Sequence, residues 1–242
     1  LLTGLGAPGT SGTAHMLRKG AESDGFSLSL FGVDSRSLAH SIHGLHAEMT
    51  LPKPDINPTD YLENLNRVVG ENAIDLVIPQ TTVESNFLSQ HSGKVLTKTA
   101  VLNSESFKLL NNKASLMSSF RNAGVASPDF HLVYSSDELI RAADKLGYPN
   151  KDVVVKLPSS SGMRGVRRLS ERSETRDDFL LRKPNVWSTK MSTLISTLGD
   201  EPWPELIVME FLSGPEYSVD VLRREGHTLV IPRRRDEIRS GI

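Results

Sequence analysis

The stretch Leu206-Ile207-Val208-Met209-Glu210-Phe211-Leu212-Ser213-Gly214-Pro215-Glu216-Tyr217-Ser218-Val219-Asp220 joins two kinds of strand across one turn. Leu206 to Met209 is an unbroken apolar run, the pattern of a strand buried on both faces. Gly214-Pro215 interrupts it. Beyond the turn, Tyr217, Val219 and Val221 alternate with polar residues, and Glu225-Gly226 returns the chain into Thr228 to Ile231. That alternation around a glycine turn predicts an antiparallel hairpin.

Working back from this stretch, Val153-Val154-Val155-Lys156 is a β-branched strand that ends in a lysine. The polar turn Ser159-Ser160-Ser161-Gly162-Met163-Arg164-Gly165 follows it. A terminal ammonium beside a Ser/Gly-rich loop suits a polyphosphate, because the lysine supplies charge and the loop supplies donors without bulk. Glu210 and the backbone of Phe211 and Leu212 lie where the next strand leaves the core, an edge suited to an adenine. Glu216 then presents a second acid within reach of ribose hydroxyls. Helical patterns cover Ser104 to Leu110 and run from Lys113 to a stop at Gly124. Ser135-Ser136-Asp137-Glu138 has capping-box spacing, with Leu139, Ile140, Ala143 and Leu146 as the apolar face and Gly147 as the stop. From Glu171 to Pro204 the pattern is weak and charged, which reads as a lid or an insertion.

The first ~100 residues alternate differently. Leu1-Leu2 runs into Gly4-Leu5-Gly6-Ala7-Pro8-Gly9-Thr10-Ser11-Gly12, then a helix through Ala14, Met16 and Leu17, then a strand from Ser27 that ends at Asp34. A helix with Tyr61, Leu62, Leu65, Val68 and Val69 on one face follows, its start placed at the Asp60 to Glu63 box, and then the strand Ile74 to Pro79. The order β-α-β-α-β argues for a parallel sheet with crossover helices. Gly4-x-Gly6-x-x-Gly9 matches the dinucleotide fingerprint, with Asp34 as a candidate ribose acid. Pro8 removes a donor from the turn, and Asp34 lies far from the last glycine. A packing or substrate-facing turn is therefore preferred over an NAD(P) site. An NAD(P)-dependent oxidoreductase would also need a proton donor such as Tyr-x-x-x-Lys, and no tyrosine has that spacing.

Taken together, the motifs of the second half resemble the ATP-grasp superfamily, in particular proteins similar to the large subunit of carbamoyl-phosphate synthetase. The resemblance covers nearly the whole chain. It implies an α/β protein with a parallel-sheet pre-ATP-grasp domain over residues 1–103 and an α+β ATP-grasp domain with antiparallel strands over residues 104–242. Asn111-Asn112-Lys113 looks like the family's first ATP lysine, and Lys156 with Ser159, Ser160, Ser161, Gly162 and Arg164 looks like the second lysine and its mobile loop. By the same resemblance Glu210, Phe211 and Leu212 read adenine and Glu216 holds the ribose. The implied activity is an ADP-forming carboxylate–amine ligase working through an acyl-phosphate, with ATP and Mg2+ and with small-molecule carboxylate and amine substrates. The family's magnesium ligands, an acidic residue and a Glu-x-Asn segment, would lie beyond Ile242. The resemblance thus implies a longer protein, inactive as these residues alone, with a non-catalytic nucleotide-binding module as a further alternative. Family members often pair, so a homodimer is the assembly the resemblance suggests.

Composition narrows the classes further. The chain has 242 residues, 38% of them hydrophobic and 24% charged. Lys plus Arg number 28 against 29 Asp plus Glu. This balance gives no global field for nucleic acid or an acidic membrane. With no cysteine, disulfides, thiol catalysis and thiolate metal sites are excluded. No apolar run is long enough to span a bilayer, and the reading is a soluble cytoplasmic protein. Leu1-Leu2-Thr3-Gly4 reads as a strand already under way, with residues expected before it. One basic cluster, Arg233-Arg234-Arg235 and Arg239, follows the Thr228 to Ile231 strand. It could hold a γ-phosphate or acyl-phosphate, without a choice among the four. His40, His43 and His46 are spaced by three, but Gly44 weakens that helix, and a polar face is the better reading than a metal site.

Overall fold

The computed structural model describes residues 1–36, 42, 44–160, 162–173, 187–200, 202–224 and 226–235. His40, His43, Ser161 and Arg239 lie outside the described residues. The chain divides into two compact units, Leu1–Leu110 and Asn111–Ile242. The sequence places this boundary at 103/104; the structure assigns most of the helix Ser104–Asn111 to the first unit.

In the first unit, strands β1 (Leu2–Thr3), β2 (Phe31–Asp34), β3 (Ala47–Thr50), β4 (Leu76–Pro79) and β5 (Lys98–Thr99) form a five-stranded sheet. Its order is β3-β2-β1-β4-β5, and every pairing is parallel. Helix α1 (Thr10–Asp24) follows β1. Helix α2 (Pro58–Glu71) leads to β4, and α3 (Thr82–His91) follows it. The sheet is covered on both faces. Leu2, Leu5, Ala14 and Leu30 form one cluster with Ile42, and Val33, Tyr61, Leu65, Val68, Val77 and Leu88 anchor the other. The order reverses direction between β1 and β4, where doubly wound sheets open a crevice at the strands' carboxyl ends.

Helix α2 begins three residues before the expected box. Asn57 is its cap, accepting from the Asp60 amide at 3.4 Å, and Pro58 takes the first helical position, where a missing N–H costs nothing. Helix α3 opens on a box the sequence reading passed over. Thr81 Oγ1 accepts from the Glu84 amide at 3.2 Å and donates to Glu84 Oε2 at 2.7 Å.

The second unit carries helix α5 (Lys113–Asn122), which follows α4 (Ser104–Asn111), and α6 (Ser136–Lys145). Strands β6 (Phe130–Val133), β7 (Val153–Lys156), β8 (Arg167–Leu169), β9 (Ser188–Thr189) and β10 (Leu206–Glu210) form a second sheet, ordered β6-β10-β7-β8-β9. Its pairings are antiparallel except β8 with β9. Ser135 caps α6 as expected, accepting from the Glu138 amide. Within the region read as lid or insertion lies α7 (Met191–Leu198), whose Met191, Leu194, Ile195 and Leu198 pack on the core. Strands β11 (Tyr217–Arg224) and β12 (His227–Arg234) pair as a separate two-stranded hairpin. Among the described residues no helix is long and apolar enough to cross a membrane.

Strand β10 is central and gripped on both faces. Ile207 and Met209 meet Ala114 and Met117 of α5, while Leu206 and Val208 belong to the cluster of Leu139, Ala143, Val153 and Val155. This explains its unbroken apolar run.

Candidate functional site

Lysine 156 stands at the carboxyl end of β7, and Lys113 at the first position of α5. Asn112 caps α5 by accepting from the Ser115 amide at 3.0 Å. That cap turns the start of the helix onto the loop after β7. The Lys113 amide donates to the Pro158 carbonyl at 2.9 Å, and its ammonium donates to the Ser160 carbonyl at 2.9 Å. Ser159 Oγ donates to the Asn111 carbonyl at 3.3 Å. The structure thus joins four of the sequence-predicted residues, Lys113, Lys156, Ser159 and Ser160, at one place.

The electrostatics there are one-sided. Burial pulls the Lys156 ammonium below the ordinary lysine range, and the positive charge of Lys113 pulls it further. Burial lowers Lys113 as well. No carboxylate among the described residues offsets either shift. Two desolvated ammonium groups close to each other are destabilised until an anion joins them. The loop itself has the curvature for close approach. Gly162, Met163 and Gly165 all have positive φ, and a Cβ on Gly165 would stand 2.8 Å from Leu157 Cδ1. Arg164 is exposed in the same loop.

The other end of the site is the exit of β10. In the antiparallel pair Ile207 faces Lys156 and Glu210 faces Val153, so the exit lies about 10 Å along the ladder from Lys156. The ladder stops at Glu210, and Phe211 and Leu212 continue outside it. The same register corrects the picture of one convergent set of side chains. Lys156 shares its face with Val154, Ile207 and Met209, while Glu210, opposite Val153, projects from the other face. There Glu210 Oε1 accepts from the Asp129 amide at 3.1 Å, and the Glu210 amide donates to the Asp129 carbonyl at 3.1 Å. At this exit the Phe211 ring turns to the Lys156 side, the main chain of Phe211 and Leu212 leaves the ladder, and the Leu212 side chain is exposed.

Phe211 is half-buried under Arg168, whose guanidinium carbon lies 4.1 Å from the ring centroid. Asp152 receives the Arg168 Nε–H at 2.7 Å and pairs with its Nη2 as well. Trp187 closes on the same ring at 6.1 Å. None of Asp129, Asp152, Arg168 and Trp187 stood out in the sequence. Each acts through a partner distant in the chain, and no local pattern separates Arg168 from its neighbour Arg167.

In the hairpin, Glu216 accepts from Arg235 Nη1 at 2.6 Å and the Arg235 amide donates to the Glu216 carbonyl at 2.8 Å. Arg233 pairs with Asp220 at 2.6 Å. Arg234 lies opposite Tyr217, on the other face from Arg233. Two of the predicted phosphate arginines are thus already engaged by carboxylates.

The glycine-rich turn of the first unit is similarly self-satisfied. The Gly4 and Leu5 amides donate to the Val33 carbonyl, Ala7 to Gly4, and Thr10 to Ala7. The Gly6 amide donates to Asp34 Oδ2 at 2.9 Å, so the acid proposed for a ribose is bound to the turn. A dinucleotide pyrophosphate gains no support from this arrangement. Beneath the turn, Glu84 is buried and accepts from Tyr61 Oη at 3.2 Å and from Thr81.

Solved structures share this architecture. N5-carboxyaminoimidazole synthetase from Staphylococcus aureus complexed with ADP superposes with a TM-score of 0.63 at 15% identity, covering 99% of this chain and 54% of that one. The biotin carboxylase domain of Hydrogenobacter thermophilus 2-oxoglutarate carboxylase, in complex with MgADP, ADP and bicarbonate, gives 0.64 at 16% identity, covering 94% and 49%. L-amino acid ligase from Bacillus licheniformis gives 0.58 at 14% identity, covering 95% and 48%. The chain has the ATP-grasp fold. A family model described as ATP-grasp in the biosynthetic pathway with Ter operon matches residues 202–242, which include β10 and the hairpin. A curated Sinorhizobium fredii protein, uncharacterized protein y4rH, is 28% identical over 123 residues, 50% of this chain and 22% of that protein. The chain therefore spans about half the length of these ATP-grasp structures and under a quarter of the curated relative.

Proposed function

We propose that this chain binds an adenine nucleotide along β7 and β10, as part of an ATP-dependent ligase that joins a carboxylate to an amine. The observation that carries the reading is that Lys156 ends β7 about 10 Å along the ladder from the exit of β10, with the Lys113 ammonium turned onto the loop that follows it. That separation suits a nucleotide with its phosphates at Lys113 and Lys156 and its base at the Phe211–Leu212 main chain. The ADP held by the Staphylococcus aureus neighbour supports this reading of the shared fold.

In the proposed reaction a substrate carboxylate oxygen attacks the γ-phosphorus of ATP, and the bond to ADP breaks. The amine nitrogen then attacks the acyl-phosphate carbon, a C–N bond forms, and inorganic phosphate leaves after the amine loses a proton. Lys113 and Lys156 position the polyphosphate and neutralise its charge, the larger share of catalysis in phosphoryl transfer. Among the described residues no group of three or more His, Asp or Glu side chains stands ready for a metal. The roles given to the lysines need only their own charges. The first unit, with its parallel sheet, takes the place of the pre-ATP-grasp domain in this reading.

A calorimetric titration with ADP tests the proposal. Saturable binding that is lost in Lys156→Met supports it, and a flat titration of the wild-type chain overturns it.

A further inference from the structure

The exit of β10 is fixed from two directions, and only one of them lies on the lysine face. From the β6 side, the Glu210 amide donates to the Asp129 carbonyl within the sheet, and the Asp129 amide donates to Glu210 Oε1 on the face away from Lys156. From the β8 side comes Arg168, which faces Val154 in the β7–β8 register and so shares a face with Lys156. Its guanidinium is only partly exposed and is held by Asp152 through Nε at 2.7 Å and through Nη2. The plane so fixed lies over Phe211 at 4.1 Å, with Trp187 against the same ring. A guanidinium locked by a carboxylate and stacked on an aromatic face is a rigid device. It costs little entropy to keep and cannot be reproduced by a lysine.

We infer that Arg168 is a positioning residue for base recognition: anchored by Asp152, it pins Phe211 and so fixes the main chain of Phe211 and Leu212 for the base of the bound nucleotide. The inference rests on the nucleotide reading above and adds to it a division of labour. The lysine end binds phosphate whatever is attached to it, and the Arg168 end makes the site select a nucleoside. Arg168 itself touches neither phosphate nor base.

The test compares ADP with inorganic tripolyphosphate, which has the charge but no base, on the wild-type chain, Arg168→Ala, Arg168→Lys, Asp152→Ala and Lys156→Met. Arg168→Ala and Asp152→Ala are expected to weaken ADP about tenfold, the equivalent of one cation–π and anchoring contact, and to leave tripolyphosphate unchanged. Arg168→Lys should not restore ADP binding, and Lys156→Met should weaken both ligands. Amide hydrogen exchange without ligand gives a second readout: Arg168→Ala should speed exchange at Phe211 and Leu212 but not at Val154 and Val155. Unchanged ADP affinity in Arg168→Ala overturns the inference, as does equal loss of both ligands or of protection throughout β7. A wild-type chain that binds tripolyphosphate but not ADP sinks base selection while sparing the phosphate end. If it binds neither, the nucleotide reading and base selection fail together, and the exchange pattern alone then decides whether Arg168 fixes the strand exit.

Discussion

The Lys113 ammonium donates to the Ser160 carbonyl at 2.9 Å across 47 residues of chain, so the start of one helix and the loop after β7 form a single unit. A lysine so placed serves two ends: it holds the loop's carbonyls and offers charge beside Lys156. Replacing it with methionine keeps the stem and removes both. Lys113→Met should weaken ADP by roughly 10–100-fold, the span of one charge-assisted hydrogen bond. Global stability should change by less than about 1 kcal/mol, because the ammonium is only partly buried. Limited proteolysis should cut the loop over residues 157–166 faster in the variant, and an unchanged cleavage rate would argue against the latch.

Lysine 156 makes affinity and stability depend on alkaline pH in opposite ways. Its folded-state pKa is lowered by burial and then by Lys113. Between the folded and unfolded values the unfolded chain binds more protons, so stability should rise with pH through that window, just below the ordinary lysine value. An anionic ligand favours the charged form, so ADP affinity should fall with pH through the same window, with proton uptake on binding. Calorimetry of the wild-type chain in buffers of different ionisation enthalpy measures that uptake, and no uptake within the window would argue against Lys156 as the group charged by the ligand.

Glutamate 84 gives the first unit the opposite slope. Burial raises its pKa above the ordinary value, against hydrogen bonds from Thr81 and Tyr61 that hold it down. A raised folded-state pKa means that stability is fullest below the unfolded value and declines as pH rises toward the folded one. Glu84→Gln should flatten this decline, followed by thermal unfolding between mildly acidic and neutral pH. Glu84→Ala leaves the Tyr61 and Thr81 hydroxyls without their acceptor and should cost about 1–3 kcal/mol.

Glycine 4 is required by sterics as well as conformation. Its φ is +69°, and a Cβ there would stand 2.5 Å from Glu84 Oε2 and 2.5 Å from Thr81 Cγ2. Gly4→Ala should therefore destabilise the first unit by more than the ~1–2 kcal/mol of a left-handed alanine. Gly9→Ala, where nothing lies within 4 Å, should be nearly neutral. Denaturant midpoints of the two variants measure the contrast.

Much of this architecture was legible residue by residue. Val153–Lys156 begins where its β-branched run begins and ends one residue beyond it, at the lysine, because a buried strand is selected for that pattern along its core-facing length. Ser135 caps α6 through a local bond, and local bonds leave local signatures. The edge strands Ala47–Thr50 and Lys98–Thr99 carry no such signature, since backbone pairing with a neighbour is all that makes them strands. Helix α7 did have helical spacing in Met191, Leu194, Ile195 and Leu198, but the charged residues upstream masked it. In the candidate site, Lys156 and its loop were legible from charge and glycine content, and Lys113 only from its resemblance to a family motif; the structure brings Lys113 onto that loop. Arg168, Asp152 and the face on which Glu210 lies depend on strand register, which one strand's own sequence does not encode.

The double grip on β10 has a consequence in time. Leu206 and Val208 on one face and Ile207 and Met209 on the other are buried in separate clusters, so this strand opens only when the whole unit does. The described residues of the loop after β7 are latched to α5 by hydrogen bonds of Lys113 and Ser159, and breaking such bonds does not require the core to open. A ligand held here would sit between a strand exit that yields only with the core and a latch that yields when single hydrogen bonds break, so its dwell time would follow the latch rather than the strand.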